Sequence, residues 1–330
     1  MIVTNKNTKK NFWRKLLWIV LISLVLIIAV AFIFRGELKK TGLRYAYWEL
    51  KGRHHVDSTP TRVVSFYSDS LKIVGDLFEP ELSSRDRMSP PGILLLHGAG
   101  PLHRKTRIIQ VLARKFCDKG YTVLAIDFRG YGDSQDPQSF SPKNFDFAQD
   151  VVSSINYLIN DVGVDSSRIY IIAHSFGAGV AINYMVKYGT INKAKKMVLI
   201  GPPRRVEERI TGSEAQESEF FVERANKDMA LPFRITLSDL KIMGEHTNIE
   251  ELVSMPNHFP LFLIDGEKEN KEDLKALREI VASALPQTDY WTVPGSDHYL
   301  NIYYIDGILC YDGDIIPKFV NRVDEWLKSK

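Results

Sequence analysis

The sequence has little of what sites for metals, electrons or nucleotides are built from. Its two cysteines in 330 residues, Cys117 and Cys310, allow one disulfide at most, which excludes a disulfide scaffold. Two buried thiols are the expectation. No HExxH, CxxC or GxxxxGK[ST] pattern occurs, and no GxGxxG opens a helix after a strand. Metal, redox and nucleotide chemistry therefore have no starting point, and no metal or cofactor is expected. With 25% charged and 45% hydrophobic residues, the composition also excludes a disordered tail and a collagen-like repeat. No internal repeat is visible, and the length fits one globular domain, or two at most.

The formal net charge of +3 conceals two different segments. Residues 1–55 hold 11 Lys and Arg against two acids, Glu37 and Glu49, whereas the rest of the chain holds 32 basic and 38 acidic residues. The body is therefore acidic, which argues against a nucleic-acid partner, and the basic N-terminal segment suits a membrane surface. Within that segment residues 16–34 form one long hydrophobic run, nineteen residues without a charge and with only Ser23 polar. As a helix rising ~1.5 Å per residue, the run would just cross a hydrocarbon core of roughly 30 Å. Trp13 and Trp18 at one end, and Tyr45, Tyr47 and Trp48 beyond the other, suit membrane interfaces.

The expectation is a single-pass anchor: a basic tail at 1–15, a transmembrane helix at 16–34 and a connector at 35–59. A cleaved signal peptide is the alternative, because Ala29-Val30-Ala31 fits a small-x-small cleavage site. Basic residues flank the run on both sides, so orientation is weakly marked; the expected arrangement puts the N-terminus inside and the body outside.

From residue 60 to 330, short apolar runs alternate with helix-like stretches. TRVVSFY (61–67) and KIVGDLF (72–78) read as an antiparallel opening pair. GILLLHG, YTVLAIDF, RIYIIAHS, KMVLIGP and PLFLIDG are nearly continuous hydrophobic runs, as strands covered on both faces require. Helical periodicity fills the intervals 104–119, 145–159 and 176–188. This alternation predicts a mostly parallel sheet flanked by helices. The interval 202–258 breaks the rhythm, with no clear strand, several acids and apolar clusters at Phe220-Phe221 and Leu231-Pro232-Phe233. Placed after a strand's C-terminal end, it predicts a helical cap over the ligand crevice, or else a packing appendage.

The strongest local signal is Ala173-His174-Ser175-Phe176-Gly177, where a strand runs into a serine and then into a small-residue helix start. A tight turn of this kind strains the serine's backbone and lifts its hydroxyl clear. The segment resembles the G-x-S-x-G nucleophile elbow of the α/β-hydrolase superfamily, with Ala in place of the first Gly. The resemblance extends to Leu96-His97-Gly98-Ala99-Gly100 and to Asp127-Phe128-Arg129-Gly130-Tyr131-Gly132-Asp133-Ser134, the latter mainly structural in that superfamily. It implies an α/β-hydrolase fold over nearly all of the body. Ser175 would be the nucleophile, and the amides of Phe176 and Ala99, or its immediate neighbours, would form an oxyanion hole.

A serine needs a base oriented by a third group. His298, in the loop after the last strand expected, holds the family's position for that base, while His97 is expected to shape its loop. The acid lies in Asp265-Gly266-Glu267-Lys268-Glu269-Asn270, which resembles the family's G-x-x-D turn. Glu269 is the leading candidate, with Asp265 and Asp273 as alternatives, although Asn270 and Asp273 also fit a helix start. Arg204 and Arg205 read as a solvated pair at the cap's hinge, with an anionic substrate group as the other option.

The resemblance implies a serine hydrolase acting on an ester, thioester or amide of a small or lipid-like acyl substrate, which the run at 16–34 would anchor to a membrane. An acyltransferase with the same triad and a non-catalytic binding protein on the same fold are the alternatives.

Overall fold

A computed structural model describes residues 15–27, 54–81, 89–189, 191, 194–202, 215–245, 259–269, 275, 278–279, 282–283, 288–305 and 307–329. The chain divides into two units, residues 1–53 with 305–308, and residues 54–304 with 309–330. In the first unit, residues 15–27 are helical and exposed throughout. Among the described residues, no helix is long and apolar enough to cross a membrane. The anchor expected at 16–34 is described only as far as residue 27, and residues 28–53 lie outside the description. It therefore has no support from the structure.

The second unit is built on an eight-stranded sheet: β1 (Arg62–Ser68), β2 (Leu71–Phe78), β3 (Gly92–Leu96), β4 (Thr122–Ile126), β5 (Ile169–His174), β6 (Lys196–Ile200), β7 (Leu261–Gly266) and β8 (Asp289–Val293). In space they run β1-β2-β4-β3-β5-β6-β7-β8. The hairpin β1–β2 is antiparallel, β2 pairs antiparallel with β4, and the remaining neighbours are parallel. The expected opening pair and parallel sheet are thus both present. His54 and His55 add a short antiparallel pairing with Tyr311 and Cys310, so the body takes in residues ahead of Pro60. Cys117 and Cys310 are both buried and form no disulfide.

Strand periodicity explains why these runs are apolar on every residue. Successive side chains point to opposite faces, and here both faces are covered. Ile93, Leu95, Val123, Ala125, Val198 and Ile200 join one core cluster with α1 (Arg107–Cys117) and α6 (Ile315–Lys328). Leu94, Leu96, Leu124, Ile126, Met197 and Leu199 join the other with α2 (Phe147–Tyr157) and α3 (Phe176–Tyr188). The register Leu94↔Leu124 and Leu94↔Ile171 sets β3 between β4 and β5. Chain connections diverge on either side of β3, which opens a crevice at the strands' C-terminal ends.

The interval expected as a cap contains α4 (Ala215–Met229) and α5 (Leu237–Glu245); residues 203–214, including Arg204 and Arg205, and 246–258 lie outside the description. Asn226 ties the connecting turn, donating to the Ile235 carbonyl at 2.9 Å and accepting from the Ile235 amide at 2.7 Å. Thr236 and Asp239 cap α5 reciprocally, through Thr236 N–H to Asp239 at 2.8 Å and Asp239 N–H to the Thr236 hydroxyl at 3.3 Å. Met229, Ile235, Leu240 and Met243 are buried in the α2/α3 cluster, and Phe233 meets Phe145 edge to face. The helices are thereby fixed on the face of the sheet that carries α2 and α3.

Candidate active site

The C-terminal ends of β3, β5, β6, β7 and β8 deliver the candidate residues. At the end of β5 the chain must reverse into α3, and Ser175 takes φ 52° and ψ −119° at the joint. Such a conformation costs a non-glycine residue about 1–3 kcal/mol. The surroundings hold it: the Ser175 amide donates to the Ile200 carbonyl at 2.8 Å, and the Ala178 amide donates to the Ser175 carbonyl at 2.8 Å. Gly177 has to be glycine because a Cβ there would stand 2.6 Å from the His97 carbonyl oxygen. The helix therefore presses against the loop after β3. Phe176 is the first residue of α3, where an amide has no acceptor within its own helix.

The loop after β3 is shaped by His97, as its sequence position suggested. Its Nδ1 donates to the Gly98 carbonyl at 2.7 Å, and its Nε2 accepts the Phe128 amide at 3.4 Å. Burial pushes this imidazole down to about 4, so the ring is neutral and fixed in one tautomer. Ala99 is exposed at the loop's crest, and a Cβ on Gly98 would stand 3.0 Å from Ser175 Cβ. The residues expected to supply the oxyanion amides thus come from two segments packed together.

The loops after β7 and β8 bring Glu269 and His298 into contact, with Glu269 Oε2 3.0 Å from His298 Nδ1. Glu269 Oε1 accepts the Gly266 amide at 2.9 Å, which locks the carboxylate's orientation. Gly201, at the end of β6, has φ 52°, and a Cβ there would lie 2.7 Å from the His298 ring. Of the other acids considered, Asp265 is buried and its carboxylate accepts from the Tyr290 hydroxyl. Burial pushes Asp265 up to about 6, with the nearby Glu269 charge adding to the shift. Asp273 lies outside the described residues.

The stretch after β4 is structural. The buried Arg104 guanidinium contacts Asp76 at 2.9 Å, Asp127, and Asp133 at 2.7 Å, tying the start of α1 to β2 and β4. Arg129 is likewise buried against Asp150 at 2.7 Å. The sequence singled out the 127–134 stretch but gave no sign that Arg104 completes it, because the partners lie 23 to 29 positions away. Nor did the sequence mark the hydrogen bond from His174 to the His298 carbonyl, which spans 124 positions.

A cavity of about 770 Å³ opens beside Pro101 of the β3 loop and is lined by Phe220, Glu223, Asp228, Leu231 and Phe233, among others. Among the described residues no group of His, Cys, Asp and Glu could hold a metal ion.

The sequence model of the family described as "Serine aminopeptidase, S33" matches residues 91–254. A multifunctional-autoprocessing repeats-in-toxin protein of Vibrio vulnificus is 24% identical over 237 residues, 70% of this chain, and one of Vibrio cholerae is 24% identical over 251 residues, 74% of this chain. The chain spans only 4% and 5% of the length of those two proteins. Among solved structures, an esterase of Pyrococcus furiosus superposes with a TM-score of 0.55 at 20% identity, covering 81% of this chain and 90% of its own. Est1E of Butyrivibrio proteoclasticus, solved with ferulic acid bound, gives 0.56 at 15% identity, covering 80% and 97%. An alpha/beta hydrolase of a Penicillium species gives 0.56 at 16% identity, covering 81% and 97%. The chain has the α/β-hydrolase fold, and these matches support a hydrolase.

Proposed function

We propose that this chain is a serine hydrolase that cleaves an ester, thioester or amide of a small or lipid-like acyl substrate. The observation that carries the reading is the pairing of Glu269 with Nδ1 of His298, in the same cluster of strand ends as the strained Ser175. A carboxylate on Nδ1 holds the proton there and leaves Nε2 free to act as the base.

In this mechanism Ser175 Oγ attacks the substrate carbonyl carbon while its proton passes to His298 Nε2. The Phe176 and Ala99-region amides take the oxyanion, a contribution of about 3–4 kcal/mol for each well-placed donor. The imidazolium then gives its proton to the departing alcohol, thiol or amine as the acyl bond breaks. Water attacks the acyl-serine with His298 as base, and the carboxylic acid leaves as Ser175 regains its proton.

The N-terminal segment serves in this proposal as a single membrane anchor with the body outside. Support comes from the sequence, in the charge-free run at 16–34 and the basic residues that flank it. Hydrolysis of p-nitrophenyl esters by the full chain, with product analysis in the presence of added alcohol and amine acceptors, tests the reaction class. Free acid as the product supports hydrolysis, and exclusive transfer to the acceptor contradicts it. Fractionation of cells expressing the full chain or a chain lacking residues 1–36 tests the anchor, which fails if the shortened chain stays in the membrane.

A further inference from the structure

His174, the last residue of β5, lies directly before the candidate nucleophile and is 2% exposed. Its Nε2 is 2.9 Å from the backbone carbonyl oxygen of His298. A carbonyl oxygen can only accept, so Nε2 carries the proton and donates. Nδ1 is buried and, among the described residues, has no hydrogen-bond partner. It points at the β3 loop, where a Cβ on Gly98 would stand 3.0 Å away. The ring packs against the imidazole of His298 with centroids 4.6 Å apart, and against Tyr299 at 5.3 Å. Arg107 lies over the other ring of that group, 4.0 Å from the Tyr299 centroid.

We infer that His174 is a positioning residue for His298: its Nε2–H holds the His298 carbonyl and thereby sets where the imidazole stands relative to Ser175. The inference rests on the triad reading above. One rigid strand end then carries both the nucleophile and the donor that places its base. The 174–175 peptide bond and the hydrogen bond from His174 to the His298 carbonyl thus link two residues that lie far apart in sequence. Fine placement matters, because a displacement of about 1 Å in a reacting group can cost on the order of a hundredfold in rate.

The dry site also keeps the donor in the right state. Burial, reinforced by repulsion from His298, pushes the His174 imidazole down to about 3. It therefore stays neutral when His298 becomes an imidazolium, and it adds no second positive charge beside it.

The test compares three full-length chains in p-nitrophenyl butyrate hydrolysis, with thermal unfolding to confirm that each is folded: wild type, His174→Gln and His174→Phe. Gln keeps a donor near the Nε2 position and loses the ring, whereas Phe keeps the ring and loses the donor. The expected result is kcat within about threefold of wild type for Gln and lower by about 10- to 100-fold for Phe, with KM changed less than twofold in both. If His174→Phe does not fold, His174→Ala takes its place as the donor-free variant. The inference is overturned if the Phe chain is the more active, if both variants match wild type, or if both are impaired equally. A folded wild-type chain with no Ser175-dependent hydrolysis would instead overturn the triad reading itself, so the two failures are distinguishable.

Discussion

Nδ1 of His298 and Oε2 of Glu269 face each other at 3.0 Å, while the second carboxylate oxygen of Glu269 takes the Gly266 amide at 2.9 Å. The Glu269 carboxylate is thus held through both of its oxygens. Glu269→Gln keeps the shape but offers an amide in place of a full acceptor, so kcat for ester hydrolysis should fall by about a thousand- to ten-thousandfold. Asp265→Asn should leave kcat within about threefold, because that carboxylate faces Tyr290. Steady-state kinetics on the two variants decides between the acids.

Gly201 bounds the other side of the same imidazole. Gly201→Ala would place a methyl group 2.7 Å from the His298 ring at a residue with φ 52°. The left-handed backbone alone costs an alanine about 1–2 kcal/mol. Displacement of the ring should lower kcat by about a hundredfold or more. Urea unfolding and kinetics on the same preparation separate the two effects.

Stability should fall as the solution is acidified from pH 6.5 to pH 5. His97 and His174 are pushed down to about 4 and about 3 by burial, so in this window the unfolded chain takes up their protons and the folded chain does not. Asp265 opposes them: raised to about 6, it is protonated in the folded state and charged in the unfolded state over the lower part of the window. Each such group changes the slope by at most about 1.4 kcal/mol per pH unit, with His103, lowered by burial, acting alongside the two histidines, and Asp136 and Asp150, raised by burial, acting alongside Asp265. Asp265→Asn should make the decline steeper, and His97→Gln should make it shallower. Urea titrations at pH 7, 6 and 5 measure each slope.

Arg104→Met should destabilise the body by about 3–5 kcal/mol, because it leaves the buried carboxylates of Asp76 and Asp127 without their cation. The exposed pair Arg62–Glu79 makes a useful control, and Arg62→Met should cost less than about 1 kcal/mol. Chemical denaturation of both variants checks the contrast.

Most of the sheet was legible because burial on both faces forces unbroken apolar runs, and β3 to β7 each lie within one. The elbow was legible for a different reason. The turn at Ser175 needs small residues close by in sequence, and Gly177 shows the steric cause. Position alone made Glu269 the leading acid over Asp265 and Asp273, but its contact with His298 was hidden, since that depends on how the loops after β7 and β8 converge. Contacts across long stretches of chain were also hidden. Neither the Arg104 hub nor the link from His174 to His298 leaves a periodic or local trace, because each depends on how separate strand ends converge.

In the proposed mechanism Ser175 is an activated nucleophile. Treating the folded full-length chain and its Ser175→Ala variant with a fluorophosphonate probe, then mapping the adduct by peptide mass spectrometry, tests it most directly. The expected result is a covalent adduct on Ser175 in the intact chain and none in the variant. A folded intact chain that stays unmodified, or a variant that is modified equally, would contradict it.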